Sequence, residues 1–137
     1  MKSKIFISTI FFIFFLQHGF SQETKVSEPK LLVYYFHATS RCPIDLAIEK
    51  TTEETLKNNF AEALKNHIII YQAIDYDDNY NRALVDKYKP FGASLMLIEA
   101  TNTSKVKDFT DFAYKNVEEH PEKLIELLIK EIKLIVE

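Results

Sequence analysis

Apolar residues recur along this chain in two rhythms, short unbroken runs and four-residue repeats, and the alternation of the two predicts its elements. Residues 31–36, Leu-Leu-Val-Tyr-Tyr-Phe, are all apolar or aromatic, the composition of a strand covered on both faces of a sheet. A polar loop spans 37–41. Cys42-Pro43-Ile44-Asp45 then opens a run of good helix formers, with Pro43 suited to a first helical turn, where its missing N–H has no intrahelical role. Over 45–66, Leu56, Phe60 and Leu64 repeat every four residues with Ala61 beside them, which predicts an amphipathic helix. Thr51 and Glu54 stand in capping-box spacing, so both one bent helix and two successive helices fit. Residues 67–74 contain Ile68-Ile69-Ile70 and predict a second strand of the buried parallel type.

The acidic loop 75–79 has a superficial calcium-loop look, but its sixth position is Tyr80 and its twelfth Asp86, where such loops need glycine and glutamate. A turn with a helix cap is the better expectation. A short helix over 80–88, with Leu84 and Tyr88 four apart, is stopped by Pro90 and Gly92. Residues 94–100 predict a third strand, 101–104 a turn, and 105–109 a weaker fourth strand closing a hairpin. The aromatic-rich stretch 111–117 fits either a helical turn or a loop. Residues 122–136 predict an amphipathic helix, with Leu124, Leu128, Ile132 and Ile135 on one face, widened by Ile125, Ile129 and Val136. The order β, α, β, α, β, β, α predicts an α/β domain that begins with a right-handed βαβ crossover.

Ahead of the first strand lies a different pattern. Lys2 and Lys4 precede an apolar run over 5–16, and Gly19-Phe20-Ser21 supplies small residues before Gln22. That is the layout of a secretory signal peptide over 1–21, which implies an exported protein, periplasmic or secreted. A retained membrane anchor fits less well, since a span needs about 20 apolar residues and this run breaks at Gln17 and His18. With the leader removed, no membrane partner is expected. Residues 22–29 are polar and form a flexible lead-in, and 30–137 form the domain.

The chain has 137 residues with 47% hydrophobic and 27% charged, enough for one core and not for two. Its net charge is −3, and loss of Lys2 and Lys4 with the leader makes it −5. A mildly acidic chain without a basic cluster is no nucleic-acid binder. Two glycines among 137 residues exclude glycine-rich phosphate loops, and no cofactor is expected. His67 and His120 are isolated and no residues stand at metal-ligand spacing, so no metal site is expected either. The tyrosines are expected in the core or half-buried rather than as a binding surface. The leader has bacterial form, so the sequon Asn102-Thr103-Ser104 carries no weight.

Candidate chemistry centres on Cys42, the single cysteine. A strand hands over to a helix there, and free N–H groups with the positive end of a helix dipole stabilise a thiolate. Arg41 beside it acts in the same direction. Asp45, one turn along, acts against it, since a carboxylate disfavours a second negative charge nearby. His37, at the strand end, is a candidate proton acceptor, against the commoner role of a strand-end histidine as a solvated or hydrogen-bonded residue. The alternative is a cysteine buried as a small apolar residue, the usual fate of a free thiol.

At these residues the chain resembles the thioredoxin-like superfamily, whose redox loop is Cys-x-x-Cys between the first core strand and its helix. More narrowly, it is similar to the thioredoxin-like group described as the ArsF-type subunit of nitrophenyl-compound nitroreductase. The matching features are Val-Tyr-Tyr-Phe-His over 33–37, Thr39, Arg41 and Cys42 as T-x-R-C, the pair Ile48-Glu49, and Asn-Asn-Phe-Ala-Glu-Ala-Leu-Lys over 58–65. The resemblance covers about 30–136 and implies a four-stranded mixed sheet of order 2-1-3-4 flanked by helices. It also implies two departures. The second cysteine of the motif falls on Asp45, leaving Cys-Pro-Ile-Asp, and the superfamily's cis-proline that faces the redox loop falls on Ser94, where the narrower group has a Gly-Ser-Ser-Leu type sequence that Ser94 fits. The narrower label would need a flavin or a flavoprotein partner, and no stretch has the form of a flavin site.

With no resolving thiol, Cys42 has no internal disulfide to cycle through. The expected function is therefore a non-catalytic binding or interaction module whose partner is another protein. The alternative is monothiol exchange, in which Cys42 forms a mixed disulfide with a partner that is resolved in trans. Candidate site residues are Cys42 and Asp45 for chemistry, and His37, Arg41, Pro43 and Ser94 for binding.

Overall fold

A computed structural model describes residues 28–137. The expected leader over 1–21 and nearly all of the expected lead-in over 22–29 lie outside the described residues. Four strands, β1 (Leu31–His37), β2 (Ile69–Asp75), β3 (Ser94–Glu99) and β4 (Val106–Asp108), form one sheet in the order β2-β1-β3-β4. β1 runs parallel to β2 and antiparallel to β3, and β3 and β4 form an antiparallel hairpin. The helices are α1 (Pro43–Asn59), α2 (Ala61–Lys65), α3 (Arg82–Tyr88), α4 (Thr110–Asn116) and α5 (Pro121–Val136). The expected α/β sheet of order 2-1-3-4 is thus the observed one.

β1 is central, which accounts for its unbroken apolar run: neighbours cover both its edges and helices cover both its faces. Successive side chains in a strand point to opposite faces, and the two faces have separate cores. Leu31, Val33 and Tyr35 join Ile48 and Leu56 of α1 and Leu124, Leu128 and Ile132 of α5. Tyr34 and Phe36 face the other way, to Ile74, Met96, Ile98 and, from α3, Leu84, Val85 and Tyr88. The first core takes two long helices and the second a single short one.

Several boundaries differ from the sequence-based expectation for identifiable reasons. The expected helix over 45–66 is two helices, broken at Phe60, whose φ of −134° and ψ of 28° leave the helical region while its ring stays in the core. Thr51 is no cap: it lies mid-helix, and its carbonyl accepts the Thr55 hydroxyl at 2.7 Å. β2 starts at Ile69 rather than at 67 because His67 takes a left-handed φ of 58°. Its N–H donates to Leu64 O at 3.1 Å and that of Ile68 to Ala63 O at 2.8 Å, the two bonds of a Schellman cap on α2. β2 is also an edge strand, so it is less covered than a buried parallel strand: Ile69 and Ile74 are buried while Gln72 and Ala73 are exposed.

The helix expected over 80–88 is a 3-10 turn (Asn79–Asn81) followed by α3, with the Asp78 side chain accepting from Tyr80 N–H at 3.0 Å. The acidic loop is therefore a turn and cap. The ambiguous stretch 111–117 is helical, as α4, which begins at Thr110 where the Asp108 carboxylate accepts the Thr110 N–H.

Candidate functional site

The site is built on the end of β1, the loop 38–41 and the first turn of α1. Cys42 is the N-cap of α1, with an extended φ of −84° and ψ of 164°, and Pro43 follows as a first-turn residue. The Cys42 carbonyl accepts the first helical bond, from Leu46 N–H at 3.2 Å. Its side chain is exposed. The sulfur therefore stands exposed at the start of a 17-residue helix, in a capping box with Asp45, and is not the buried apolar residue of the alternative.

Asp45 is buried beside it. Its carboxylate accepts the Cys42 N–H at 3.1 Å, the Tyr114 hydroxyl, and more distantly the Tyr35 hydroxyl at 3.4 Å. Burial pushes its carboxyl upward, but hydrogen bonds from Tyr114, from the Cys42 side chain, from the Cys42 N–H and from Tyr35 outweigh it and hold the group below the usual carboxylate value. The tyrosines respond in the opposite sense. Burial and then the Asp45 charge push the Tyr35 phenol well up, and burial with the hydrogen bond to Asp45 does the same to Tyr114. Asp45 is thus an ionised carboxylate clamped from three elements, β1, α1 and α4.

His37 and Arg41 form a second group. The His37 ring is buried, with Nδ1 2.8 Å from Ala38 O and Nε2 2.7 Å from the Arg41 guanidinium. Arg41 Nε–H also donates to Nδ1 at 3.1 Å, so the guanidinium reaches both ring nitrogens and the tautomer sets which of these contacts is a hydrogen bond. Arg41 also forms an ion pair with Glu49 of α1. The His37 ring nitrogens thus bond Arg41 and a carbonyl, and the Arg41 charge is matched by Glu49. The loop between them is tied to the end of β2, where the Thr39 hydroxyl donates to Asp75 at 2.7 Å and the Thr39 N–H to Asp77 at 3.1 Å. The Thr39 hydroxyl is the main reason the Asp75 carboxyl lies below its usual value.

Ser94 sits at the start of β3, opposite Phe36 of β1, and is buried. Its hydroxyl donates to Gly92 O at 3.2 Å. There is no cis peptide bond among the described residues, so the chain enters β3 with a trans bond at the position where the resemblance implies a cis one. The structure therefore brings together Cys42, Pro43 and Asp45, couples His37 to Arg41, and leaves Ser94 bonded within its own turn.

Sequence reasoning missed Tyr35, Tyr114 and Glu49. Tyr35 lies inside an apolar run and looks like core, and Tyr114 is 69 positions from Asp45, so neither offers a local signal. Glu49 stands eight positions after Arg41, and only the turn before α1 brings the two together. Two buried hydroxyls, of Thr52 and Tyr71, have no hydrogen-bond partner among the described residues. Burial, with the nearby Glu53 charge, pushes the Tyr71 phenol up to about 12.

Chemically the site offers one exposed thiol and one ionised carboxylate that takes up the Cys42 N–H and two tyrosine hydroxyls. Among the described residues no group of three or more His, Cys, Asp or Glu side chains is placed to hold a metal ion. No described helix is long and apolar enough to cross a membrane.

No protein-family profile and no curated protein matches the chain. Among solved structures, one of a malarial protein is similar at 18% identity and a TM-score of 0.42, over 59% of this chain and 82% of that one. A likeness of that degree carries no argument about fold or function.

Proposed function

We propose that residues 30–137 are a thioredoxin-like domain, exported through the leader 1–21, that serves as a non-catalytic binding module for another protein. The resemblance to the ArsF-type group belongs to the same proposal. One observation carries the reading: the position one helical turn after Cys42 holds a buried, ionised Asp45 fastened by Tyr114, Tyr35 and the Cys42 N–H. A dithiol mechanism needs a second sulfur there. A carboxylate held below its usual range is also a weak proton acceptor, so it is poorly suited to activating the thiol beside it.

A second reading has its own support in the exposure of Cys42 at a helix start. On that reading the Cys42 thiolate attacks a partner disulfide, one S–S bond forms as the other breaks and the displaced sulfur leaves as a thiolate, and a different thiol then attacks the partner sulfur of the mixed disulfide in trans, forming a new disulfide and releasing the Cys42 thiolate. Titration of the protein with a chromogenic disulfide across pH separates the two. The binding module leaves Cys42 reacting no faster than a free cysteine peptide, and Cys42→Ser leaves partner binding unchanged. Rapid reaction in the folded protein, or loss of binding in Cys42→Ser, decides for exchange.

Export has a separate check. Expression of the whole chain in a bacterial host should yield a processed protein whose first residue is Gln22, read by mass spectrometry. Retention of residues 1–21 contradicts it.

A further inference from the structure

We propose that the outer edge of β4, with the groove beside it, docks an extended, net acidic segment of a partner protein that joins the sheet as a further strand. The surface is separate from the Cys42 loop, and the proposal stands whether or not that thiol reacts.

The backbone of β4 comes first. Glu99 N–H donates to Lys105 O at 3.2 Å and Phe109 N–H to Leu95 O at 2.8 Å. In an antiparallel ladder, bonding alternates along the strand, so Lys105, Lys107 and Phe109 turn their main-chain groups toward β3. Val106 and Asp108 turn theirs outward, to the edge that no described strand covers. An edge of this kind is a template for an added strand.

The side chains at that edge are arranged unequally on its two faces. Val106 pairs with Ile98 and Asp108 with Met96, which places both on the face covered only by α3. There an open groove of about 570 Å³ is lined by Tyr88, Met96 and Val106, with Phe91 at its margin. Phe91 is 100% exposed and Val106 39%. A fully exposed phenylalanine held beside a left-handed Gly92, with φ of 75°, is costly to leave in water. An added strand would lay every second side chain into this groove.

Charge selects the occupant. Lys87 and Lys89 line the same groove, and neither forms an ion pair among the described residues. The one carboxylate lining it, Asp108, is occupied by the Thr110 N–H and hydroxyl. On the opposite face Lys107, and Lys105 just ahead of β4, are already ion-paired, with Glu131 at 2.6 Å and Glu99 at 3.1 Å, so the lysines of the groove carry the selection. A second copy would bring its own Lys87 and Lys89 to the same edge and no unpaired carboxylate to meet them. An acidic segment with alternate apolar residues meets the apolar lining and the two lysines of the groove favourably.

The test is fluorescence anisotropy with a labelled peptide of about eight residues alternating isoleucine and glutamate, compared with its lysine counterpart. The acidic peptide is expected to bind about tenfold more tightly than the basic one. Val106→Pro removes an outward N–H without touching the β3 ladder and is expected to weaken binding about tenfold. Lys87→Glu combined with Lys89→Glu is expected to weaken it similarly and to flatten its salt dependence. Circular dichroism checks folding, and Phe91→Asp, on an exposed turn, replaces Val106→Pro should that variant not fold. Cys42→Ser leaves peptide affinity unchanged. The proposal is overturned by equal affinity for the two peptides, by failure of both to bind, or by binding that survives both Val106→Pro and Phe91→Asp. A concentration-dependent dimer abolished by Val106→Pro also overturns it, assigning the edge to a second copy.

Discussion

Asp45 illustrates how one side chain acquires a role from residues far from it in sequence. Its carboxylate is buried and charged, a costly combination unless donors surround it, and Tyr114, Cys42 and Tyr35 are those donors. Tyr114→Phe removes the closer phenol and is expected to cost about 2 kcal/mol in denaturant unfolding, since the acceptor is charged. Tyr35→Phe removes a 3.4 Å contact, beyond the usual hydroxyl range, and is expected to cost less than half of that. The same group gives stability a pH dependence. The folded carboxyl titrates below its ordinary value of 3.8, so the unfolded chain takes up the proton first. The stabilisation is complete above that value and is lost as pH falls through the folded one. The stability gap between the wild type and Asp45→Asn is therefore expected to narrow as pH is lowered from about 6 to about 2, measured by chemical unfolding at each pH. Cys42 and Asp45 were both legible as neighbours, because three positions along a helix is one turn. The tyrosine clamp was not, since nothing local in 111–117 points back to 45.

At the scale of elements, helix ends explain most of the differences between pattern and structure. The isoleucines 68–70 mark a strand, but the chain must first close α2, and it does so with His67 in a left-handed conformation. Glycine takes that conformation without the Cβ penalty. His67→Gly is therefore expected to stabilise the protein by about 0.5 to 1 kcal/mol, read as a higher unfolding midpoint with unchanged denaturant slope. A lower midpoint would show that the histidine side chain makes a contribution of its own. The break at Phe60 has the same origin. Its ring stays with the core spacing of Leu56 and Leu64 while its backbone leaves the helix, so the four-residue rhythm continues across a joint that the rhythm alone does not reveal.

For the whole molecule, the two faces of the sheet carry unequal cores. Leu128 of α5 is fully buried among Leu124, Ile132 and the inward residues of β1, whereas Leu84 of α3 is half-buried against the smaller cluster. Leu128→Ala is expected to cost about 3 kcal/mol and Leu84→Ala about 1 kcal/mol in equilibrium unfolding, the difference following the residual cavity each leaves. Comparable losses would mean that α3 packs as tightly as α5. The thin cover on the α3 face also leaves the groove beside β4 open.

Local pattern alone determined the four strands and the main helices, the burial of β1 on both faces, the amphipathic stripe of α5 and the position of Cys42 at a strand-to-helix junction. Each of these follows from composition and periodicity within a few residues, where burial on one face or two is written directly into the order of side chains. Tertiary structure decided which groups meet: Asp45 with Tyr114, Arg41 with Glu49, Thr39 with Asp75 and Asp77, and the outward turn of Val106. Those pairings join distant stretches through the packing of separate elements, and hydrogen bonds between side chains leave no periodic trace along a single chain.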